Sequence, residues 1–506
     1  MVVVFNFGGQ YAHLIARRIR DLWVKSELVA PDISAQVIKK LKPQAIIFSG
    51  SPFSCYEKNA PKAHAEIYDL GIPILGICYG LQLMAYQLGG KVSAHVNKQF
   101  GKESLSIGKS ALFEGLKSPQ TVWFSHGDHV DKLPGGFKVI GSTKNAKIAA
   151  IENTSKKFYG IQFHPEVTHT TMGMQILENF LFKIAKVKKD WNLMQVKEEI
   201  IKDLKGKIGK GKILMAVSGG VDSTVAATLI KLAILDNLYL VFIDTGLSRS
   251  YDLADLNKVA KAVKFKNFKV VEAQKRFLDV LKGIIDPEEK RKKIAYLYFK
   301  ILEEEARKIG SIKYLGQGTI YPDRIESAQP TKHADKIKSH HNVTLPQGLK
   351  LQIVEPLADL YKDEVRKIGV LLDIPSEFVN RHPFPGPGLA IRIVGEVTEQ
   401  RLEILRQVDE IFISELKSGG IYNKVAQALA ALLPVKSVGV MGDARTYSYI
   451  VSLRSVDTQD FMTADWSKIP HSVLEKISSR IVNEVRGVNR VVYDITQKPP
   501  ATIEYE

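Results

Sequence analysis

The sequence is poor in cysteine and contains no apolar run long enough to span a bilayer. Only Cys55 and Cys78 occur among 506 residues, which excludes a disulfide framework and a zinc site built from cysteines and fits a reducing compartment. The longest apolar runs, such as 428–435, fall far below the roughly 18 residues of a membrane helix. The start lacks the basic segment, apolar stretch and cleavage site of a secretory signal. We therefore expect a cytoplasmic protein that does not contact a membrane.

Acidic residues are also in deficit. The chain has 54 Asp and Glu against 71 Lys and Arg, which leaves a net charge of +17. Such an excess favours anionic ligands. The lysines are spread over many predicted helical faces and loops, as in the local group Lys258, Lys261, Lys264 and Lys266, and are not concentrated in one arm or helix. We therefore predict nucleotide ligands and no nucleic-acid partner.

The rest of the composition is that of a soluble multidomain protein. With 506 residues, 45% hydrophobic and 25% charged, the chain has enough material for several cores. Short apolar strands alternate with helical patterns through the first part of the chain, with predicted strands at 2–7, 45–48 and 74–77. This alternation is typical of a mostly parallel sheet covered on both faces.

A second alternating series begins with a predicted strand at 212–217, which precedes a predicted helix at 224–235. The proline- and glycine-rich run 381–388 stops any helix or regular strand. We therefore predict an α/β fold with two doubly wound, mostly parallel sheets, followed by a smaller α+β C-terminal domain. The predicted domains are 1–188, 189–380 and 381–506.

A cysteine flanked by glycines lies between a predicted strand and a predicted helix. Gly76 and Gly80 enclose Cys78 in the string Gly-Ile-Cys-Tyr-Gly. A small residue on each side of a nucleophile lets the strand turn abruptly into the helix and lifts the side chain above the sheet. At the helix N-terminus the dipole favours the thiolate, which is the nucleophilic form.

A histidine and a glutamate at the end of a later predicted strand can complete this site. His164 and Glu166 are two residues apart, so in an extended chain they face the same side. They supply a base and a group that orients it. The alternative is an inert, buried Cys78, which is the commoner state of a single cysteine. Cys55 lacks the flanking glycines and is predicted to pack in a loop.

These residues resemble the class I glutamine amidotransferases, in which a cysteine, a histidine and a glutamate hydrolyse glutamine to glutamate and ammonia. Matching strings occur at 8–11 (Gly-Gly-Gln-Tyr), 49–52 (Ser-Gly-Ser-Pro) and 125–128 (Ser-His-Gly-Asp). The resemblance implies that Cys78, His164 and Glu166 form the catalytic triad.

The same resemblance implies three further residues of this site. The backbone N–H groups of Gly50 and Tyr79 correspond to the oxyanion donors, and Gln82 corresponds to a glutamine-binding residue. The chain departs from the family pattern at Ser51, where a second glycine is usual, and at Asn6, where an aspartate is usual.

A second glycine-rich string, Ser-Gly-Gly-Val-Asp-Ser-Thr at 218–224, follows an apolar strand and opens a helix. Gly219 and Gly220 let backbone N–H groups approach phosphate oxygens, and Ser218, Ser223 and Thr224 add hydroxyl donors. The string does not end in Gly-Lys-Ser/Thr, so it is not a Walker A sequence. Without the flanking strand and helix, such a string would usually be a linker.

The string is similar to the PP-loop of the ATP pyrophosphatases, which cleave ATP between the α and β phosphates and adenylate a substrate. The resemblance implies that the whole loop binds ATP, Val221 and Asp222 included. It implies magnesium with the ATP, with Asp222 as the candidate ligand, and no prosthetic group. Lys338 is the candidate cation for the departing pyrophosphate; the alternative is that it belongs to a solvated loop.

Several longer strings closely resemble the GMP synthetase family, in which both activities share one chain. They lie at 286–292, 316–323, 381–392, 437–443 and 478–504. The resemblance implies that XMP is adenylated at its C2 oxygen and that ammonia then displaces AMP to give GMP. The three predicted domains then correspond to the amidotransferase, the ATP pyrophosphatase, and a C-terminal domain that binds XMP and forms a homodimer.

The resemblance also assigns XMP-binding positions, and most of them are polar or cationic. They are Arg381, Gly386, Gln427, Arg490, Lys498, Ile503 and Glu504. Two prolines follow Lys498 and make a rigid extended segment, which is suited to lie across a pocket. The alternative is that this segment only packs against its own domain.

Two other functions share part of these features. An NAD synthetase would share the ATP loop but should lack the strings at 381–392 and 498–504. A PP-loop protein that modifies or binds nucleic acid would fit the basic charge but requires a basic or aromatic single-strand surface. Because ammonia released into water becomes ammonium, we also expect the two sites to be coupled, with glutaminase activity rising when XMP and ATP are bound.

Overall fold

The computed structural model describes residues 1–323, 351–441, 444–458, 461 and 463–506. The described residues form two compact units. The first is Met1–Asn192, and the second begins at Leu193.

A nine-stranded sheet organises the first unit. Its strands are β1 (Val2–Phe5), β2 (Ser26–Val29), β3 (Ala45–Phe48), β4 (Ile74–Ile77), β5 (Lys91–Ile107), β6 (Gln120–Lys132), β7 (Lys138–Ser142), β8 (Ala150–Asn153) and β9 (Phe158–Ile161), in the spatial order β2-β1-β3-β4-β9-β8-β7-β5-β6. The first five strands in this order are parallel, and the others are added antiparallel.

Helices cover both faces of the parallel part. They are α1 (Ala12–Asp21), α2 (Ala35–Leu41), α3 (Tyr79–Gln87) and α4 (Gly173–Glu178), with a π-helical turn at Asn179–Ile184 and 3-10 turns at Ala65–Asp69 and Ala111–Phe113. Strands β1, β3 and β4 are fully buried, which explains their continuous apolar sequences. Alternate residues enter opposite cores: Val2 and Val4 pack in one cluster, and Val3 and Phe5 pack in the other.

A five-stranded, fully parallel sheet organises the first part of the second unit. Its strands are β10 (Lys212–Ala216), β11 (Leu238–Asp244), β12 (Asn267–Glu272), β13 (Ile312–Gly316) and β14 (Gln352–Val354), in the order β12-β11-β10-β13-β14. The helices are α5 (Leu193–Ile208), α6 (Val221–Ile234), α7 (Asp252–Ala262), α8 (Gln274–Leu281), α9 (Pro287–Ile309), α10 (Lys362–Leu371) and α11 (Ser376–Val379), with a 3-10 turn at Leu235–Asn237.

The remainder of the second unit is α+β. It contains a 3-10 turn at Gly388–Arg392, α12 (Glu399–Ser418), a 3-10 turn at Tyr422–Lys424, β15 (Gln427–Met441), β16 (Ala444–Asp457), β17 (Asp465–Trp466), α13 (His471–Glu484) and β18 (Val488–Tyr493). Strand β16 pairs antiparallel with β15 and β17 and parallel with β18. Leu214 and Val241 of the parallel sheet share one buried cluster with Leu389, Leu405 and Val451.

This architecture confirms the predicted fold class: two mostly parallel sheets and a C-terminal α+β region. The division of the second unit at residue 380 remains a prediction. None of the helices in the described part of the chain combines the length and the apolarity needed to cross a membrane.

Candidate active sites

Cys78 lies on a sharp turn between β4 and α3. Its backbone has φ 55° and ψ −110°, a strained conformation for a residue with a side chain. The turn requires glycine on both sides. A Cβ at Gly80 would lie 2.4 Å from the carbonyl oxygen of Phe48, and one at Gly76 would lie 2.6 Å from the carbonyl carbon of Gly80. The thiol is therefore presented at the first turn of α3, as the sequence predicts.

The other two residues of the predicted triad are brought to this thiol. His164 Nδ1 lies 2.7 Å from Glu166 Oε1, and both side chains are buried. Burial favours the neutral imidazole, but Glu166 and a hydrogen-bonding contact with Cys78 outweigh it and raise the pKa of His164 to about 10. An imidazolium of this kind stabilises a neighbouring thiolate.

Two residues that sequence reasoning missed hold the backbone of His164 and Glu166 in place. Thr170 Oγ1 donates to the His164 carbonyl at 2.6 Å and accepts the Trp123 N–H at 3.0 Å. Arg18 Nε donates to the carbonyl of Glu166 at 3.0 Å. Both act through backbone atoms, so a single sequence carries no motif that reveals them.

Gly50 lies against the nucleophile. A Cβ at this position would be 3.4 Å from His164 Cε1 and 3.9 Å from Cys78 Cβ. The Gly50 carbonyl is held by Ser49 Oγ at 3.1 Å. The next residue, Ser51, stands where the family usually has a second glycine. Its backbone is not left-handed, and its Oγ accepts the Phe53 N–H at 3.3 Å.

The structure also places the other residues that the sequence singled out in this unit. Gln82 is buried on α3, and its Nε2 donates to the Asp128 carbonyl at 2.9 Å. Tyr79 is the first residue of α3. Asn6 Oδ1 accepts the Gly8 N–H at 2.9 Å. Cys55 is buried, and burial together with Asp128 raises its pKa to about 12, so this thiol stays protonated at neutral pH.

The second site is the loop between β10 and α6. Gly219 has a left-handed backbone with φ 78°. Ser223 Oγ accepts the Ser218 N–H at 3.3 Å and donates to the Gly220 carbonyl at 3.1 Å, and Thr224 Oγ1 donates to the same carbonyl at 2.9 Å. These bonds shape the loop around the first turn of α6.

A neighbouring strand end extends this site. Strand β11 lies beside β10 and parallel to it, so both carboxyl ends open at one edge of the sheet. At that edge Asp244 Oδ1 accepts the Gly246 N–H at 3.0 Å, and Asp244 Oδ2 accepts Gln274 Nε2 at 2.7 Å. On the other side of the loop, a Cβ at Gly318 would be 3.0 Å from the Ser223 nitrogen.

Lys362 is a further residue of this site that the sequence did not reveal. Its ammonium forms an ion pair with Asp222 Oδ2. Asp222 Oδ1 is buried and has no hydrogen-bond partner in the described structure. A carboxylate oxygen in this state fits a hard cation such as magnesium. Lys338 lies outside the described residues.

The predicted XMP-binding residues are only partly brought together. Gln427 Nε2 donates to Glu504 Oε1 at 2.8 Å, and the Glu504 carboxylate also accepts two bonds from the buried Arg392, each of 2.9 Å. Lys498 Nζ donates to the Phe461 carbonyl at 2.6 Å. Ile503 is buried.

Of the other three predicted residues, one lies beside the 218–224 loop and two are exposed. Arg381 is at the ATP loop, where Nη1 donates to the Gly219 carbonyl at 3.1 Å. Gly386 and Arg490 are exposed.

Three family models match consecutive parts of the chain. Residues 3–184 match "Glutamine amidotransferase class-I", 193–295 match "NAD synthase" and 414–505 match "GMP synthase C terminal domain". Over 511 residues the chain is 52% identical to the GMP synthase [glutamine-hydrolyzing] of Thermosipho melanesiensis, with 100% of this chain and 99% of that protein covered. The chain belongs to the glutamine-hydrolysing GMP synthase family.

Other curated members of the GMP synthase family are similarly close. The proteins of Aquifex aeolicus and Caldanaerobacter subterraneus are 51% and 52% identical to this chain over 507 residues, with 100% of the chain and 99% of each relative covered. The NAD synthase model matches part of the ATP-loop region only. Full-length similarity and the C-terminal match therefore decide between GMP synthase and the NAD synthetase alternative.

Proposed function

We propose that this chain converts XMP to GMP with ATP and glutamine, releasing AMP, pyrophosphate and glutamate. The observation that carries the proposal is the occurrence of the Cys78 elbow and the 218–224 loop in one chain that matches glutamine-hydrolysing GMP synthases over its full length. The chain is accordingly a carbon–nitrogen ligase.

At the first site, the Cys78 thiolate attacks the carboxamide carbon of glutamine. The N–H groups of Gly50 and Tyr79 stabilise the oxyanion, and such donors are worth roughly 3 to 4 kcal/mol each. His164 gives its proton to the leaving nitrogen, which departs as ammonia and leaves a thioester. His164 then takes a proton from water, which attacks the thioester and releases glutamate. Gln82 contributes to the glutamine pocket.

At the second site, the C2 oxygen of XMP attacks the α-phosphorus of ATP, and pyrophosphate leaves. The N–H groups of 219–221 and the Ser218 hydroxyl donate to the pyrophosphate oxygens. The hydroxyls of Ser223 and Thr224 join them by turning away from the Gly220 carbonyl, to which each donates in this structure. Lys362 lies beside the loop and adds a positive charge. Asp222 would hold magnesium, which when bound neutralises phosphate charge.

Ammonia then attacks C2 of the adenylated base, and AMP leaves with the C2 oxygen. Ammonia must arrive unprotonated, because ammonium has no lone pair with which to attack. The transfer therefore has to exclude water. This requirement underlies the expected rise of glutaminase activity when XMP and ATP are bound.

We propose that XMP is bound by Gly386, Gln427, Arg490, Lys498, Ile503 and Glu504. Arg381, which the resemblance assigns to the same set, lies beside the 218–224 loop instead. An ionised carboxylate offers about four acceptor sites. Arg392 and Gln427 use three of those of Glu504. The fourth, on Oε2, is left for an N–H of the xanthine ring.

We propose that the chain forms a homodimer through the β15–β16 hairpin. Val438, Val440 and Tyr447 are exposed by 47%, 76% and 67%. Val438 pairs directly with Tyr447, and Val440 is two residues from Val438, so the three side chains share one face of the hairpin. An exposed apolar face of this kind favours a protein partner.

We also propose a reducing compartment such as the cytoplasm, because both cysteines are free thiols and Cys78 must act as a thiolate. The partners are then glutamine, ATP with magnesium, and XMP, without nucleic acid, a membrane or a prosthetic group.

The test is a product assay. The purified chain is incubated with XMP, ATP and magnesium, with either glutamine or an ammonium salt, and GMP and pyrophosphate are measured. Both nitrogen sources should give GMP, and nicotinate adenine dinucleotide in place of XMP should give no product. The proposal fails if neither GMP nor pyrophosphate forms. Turnover that requires added RNA would favour the nucleic-acid alternative.

A further inference from the structure

Arg381 lies between the ATP loop and the start of α7. Its Nη1 donates to the Gly219 carbonyl at 3.1 Å, and its Nη2 forms an ion pair with Asp255. Asp252 Oδ1 lies 3.6 Å from Nη1. The Arg381 side chain is only 15% exposed. The guanidinium thus faces two carboxylates on one side and a main-chain carbonyl of the loop on the other.

The Gly219 carbonyl belongs to the same peptide group as the Gly220 N–H. In a trans peptide these two groups point in opposite directions. This peptide group turns with ψ of Gly219 and φ of Gly220, and neither residue has a Cβ that would restrict the rotation. Local sterics therefore do not fix the direction of this N–H, and a donor that holds the carbonyl from behind can fix it.

We propose that Arg381 is a positioning residue of the ATP site, which holds the Gly219 carbonyl so that the Gly220 N–H faces the departing pyrophosphate. The proposal rests on the proposed function and deepens it. It gives Arg381 a role toward ATP, separate from the XMP contact that the family resemblance implies for this residue.

The hydroxyls of the loop support this direction for the N–H. Gly220 N–H points to Ser218 Oγ, 3.4 Å away, and Ser218 Oγ lies 3.4 Å from Ser223 Oγ. These two hydroxyls are phosphate donors in the proposed mechanism. The Gly220 N–H is thus on the side of the loop where phosphate binds, and Arg381 is on the opposite side.

The backbone that carries Arg381 is itself fixed. Arg366 Nη2 donates to the Arg381 carbonyl at 3.0 Å. The next residue, His382, donates its N–H to Tyr422 Oη at 3.1 Å, and the two rings stack with centroids 3.8 Å apart. The guanidinium is therefore presented from a rigid support, as a positioning group requires.

The same segment continues to the loop that follows β11, at the same edge of the parallel sheet. Leu389 N–H donates to the Leu247 carbonyl at 2.8 Å. A Cβ at Gly388 would lie 2.3 Å from that carbonyl oxygen. Residues 381–389 therefore contact both loops at the carboxyl edge of the parallel sheet, one through Arg381 and one through Leu389.

The carboxylates orient the guanidinium. Asp252 also accepts the Arg249 N–H at 2.9 Å, so its position is set by the turn that begins α7. Asp255 has a second cation, Lys258, with Nζ 3.3 Å from Oδ1 and a side chain that is 66% exposed. Lys258 offers a matched control. Its substitution removes a cation that pairs with Asp255, but Lys258 does not contact the 218–224 loop.

The experiment compares Arg381→Gln, Arg381→Lys, Asp255→Asn and Lys258→Gln in the full chain. GMP formation with ammonium salt is measured while ATP and XMP are varied separately, and affinity for α,β-methylene-ATP is measured by calorimetry. Glutaminase activity and the melting temperature report on folding. For Arg381→Gln we expect the KM for ATP to rise at least tenfold and kcat to fall about tenfold, with the KM for XMP within twofold of wild type.

The other variants should weaken ATP binding less than Arg381→Gln does. Arg381→Lys should recover part of the ATP affinity, since it keeps the charge but loses the fork that joins the carbonyl to the carboxylate. Asp255→Asn should weaken ATP binding less than Arg381→Gln, and it serves as the test if Arg381→Gln does not fold. Lys258→Gln should match wild type.

Two results would overturn the inference. One is a higher KM for XMP with an unchanged KM for ATP, which would make Arg381 an XMP ligand. The other is an unchanged KM and analogue affinity for ATP in both Arg381→Gln and Asp255→Asn. If the wild-type chain makes no GMP from ammonium and XMP, the proposed function itself fails, so the two failures are distinguishable.

Discussion

The ammonium of Lys362 forms an ion pair with the carboxylate of Asp222 in the first turn of α6. Lys362 is the first residue of α10, 140 positions further along the chain. The two side chains are 28% and 27% exposed, so the pair borders the solvent beside the ATP loop. We propose that a lysine held here stabilises the negative charge that develops on the leaving pyrophosphate.

We predict that Lys362→Met reduces ammonia-dependent GMP formation by at least 100-fold, about 2.7 kcal/mol of transition-state stabilisation. Basal glutaminase activity should persist, because the triad lies in the other unit. The measurement is steady-state GMP formation with ammonium salt. Lys367→Met is the matched control, since Lys367 is on the same helix, is 61% exposed and pairs with Asp363. Equal loss in both variants would show a general effect of charge.

Cys78→Ala should separate the two activities. The variant lacks the nucleophile, so glutamine hydrolysis should fall below detection, whereas GMP formation with ammonium salt should stay within about twofold of wild type. The assay is GMP production with each nitrogen source. Cys55→Ala should retain glutamine use, because the Cys55 thiol is protonated at neutral pH. Loss of both activities in Cys78→Ala would contradict independent sites.

Glu166→Gln should change how the reactivity of Cys78 depends on pH. In the wild type, burial lowers the pKa of His164, while Glu166 and Cys78 raise it to about 10. The imidazolium therefore persists below pH 10 and supports the thiolate. Removing the Glu166 charge lowers the pKa of His164. In the variant the imidazolium is therefore lost at a lower pH than in the wild type.

The measurement for this variant is the rate of Cys78 alkylation by iodoacetamide. We expect a nearly flat rate between pH 7 and pH 9 for the wild type. Glu166→Gln should react about tenfold more slowly at pH 7, with a rate that increases with pH, and should lose about 100-fold or more in glutaminase kcat/KM. Superimposable pH profiles would show that Glu166 does not control the protonation of His164.

The parts of the two sites that lie in one short stretch of chain were predictable. The elbow at Cys78 and the 218–224 loop each combine glycines, a preceding strand and a following helix, and local sterics demand these features. The fold class followed from the same strand and helix periodicity. The long β5–β6 and β15–β16 hairpins were not predicted, because their alternation is interrupted by glycines and by changes of register at bulges.

Contacts between distant residues were not predictable from one sequence. Lys362 and Thr170 act through partners that only the folded chain brings near. The 286–292 string, by contrast, was recognised from the sequence by its family resemblance, and the structure shows what its residues do. Asp286 accepts the Glu289 N–H at 2.7 Å as a helix cap, and the fully buried Lys290 donates to the Ile393 carbonyl at 2.9 Å.

Gly80→Ala should destabilise the first unit and abolish glutaminase activity. The new Cβ would lie 2.4 Å from a carbonyl oxygen of Phe48, and backbone cannot move away as a flexible side chain can. We expect a loss of about 3 kcal/mol or more in the free energy of unfolding, measured by urea denaturation. Gly135→Ala is the control, because a Cβ there meets nothing within 4 Å. Equal stability of the two variants would contradict the close approach at the elbow.

Val440→Glu should weaken the proposed homodimer. Val440 is 76% exposed on the same hairpin face as Val438 and Tyr447, and a carboxylate buried in an apolar interface without a partner is strongly unfavourable. The measurement is the mass distribution by sedimentation velocity at micromolar concentration, where the wild type should be a dimer and Val440→Glu largely a monomer. Leu235→Glu, at a site 68% exposed in the same unit, should stay dimeric. A monomeric wild type, or a dimeric Val440→Glu, would exclude this face as the interface.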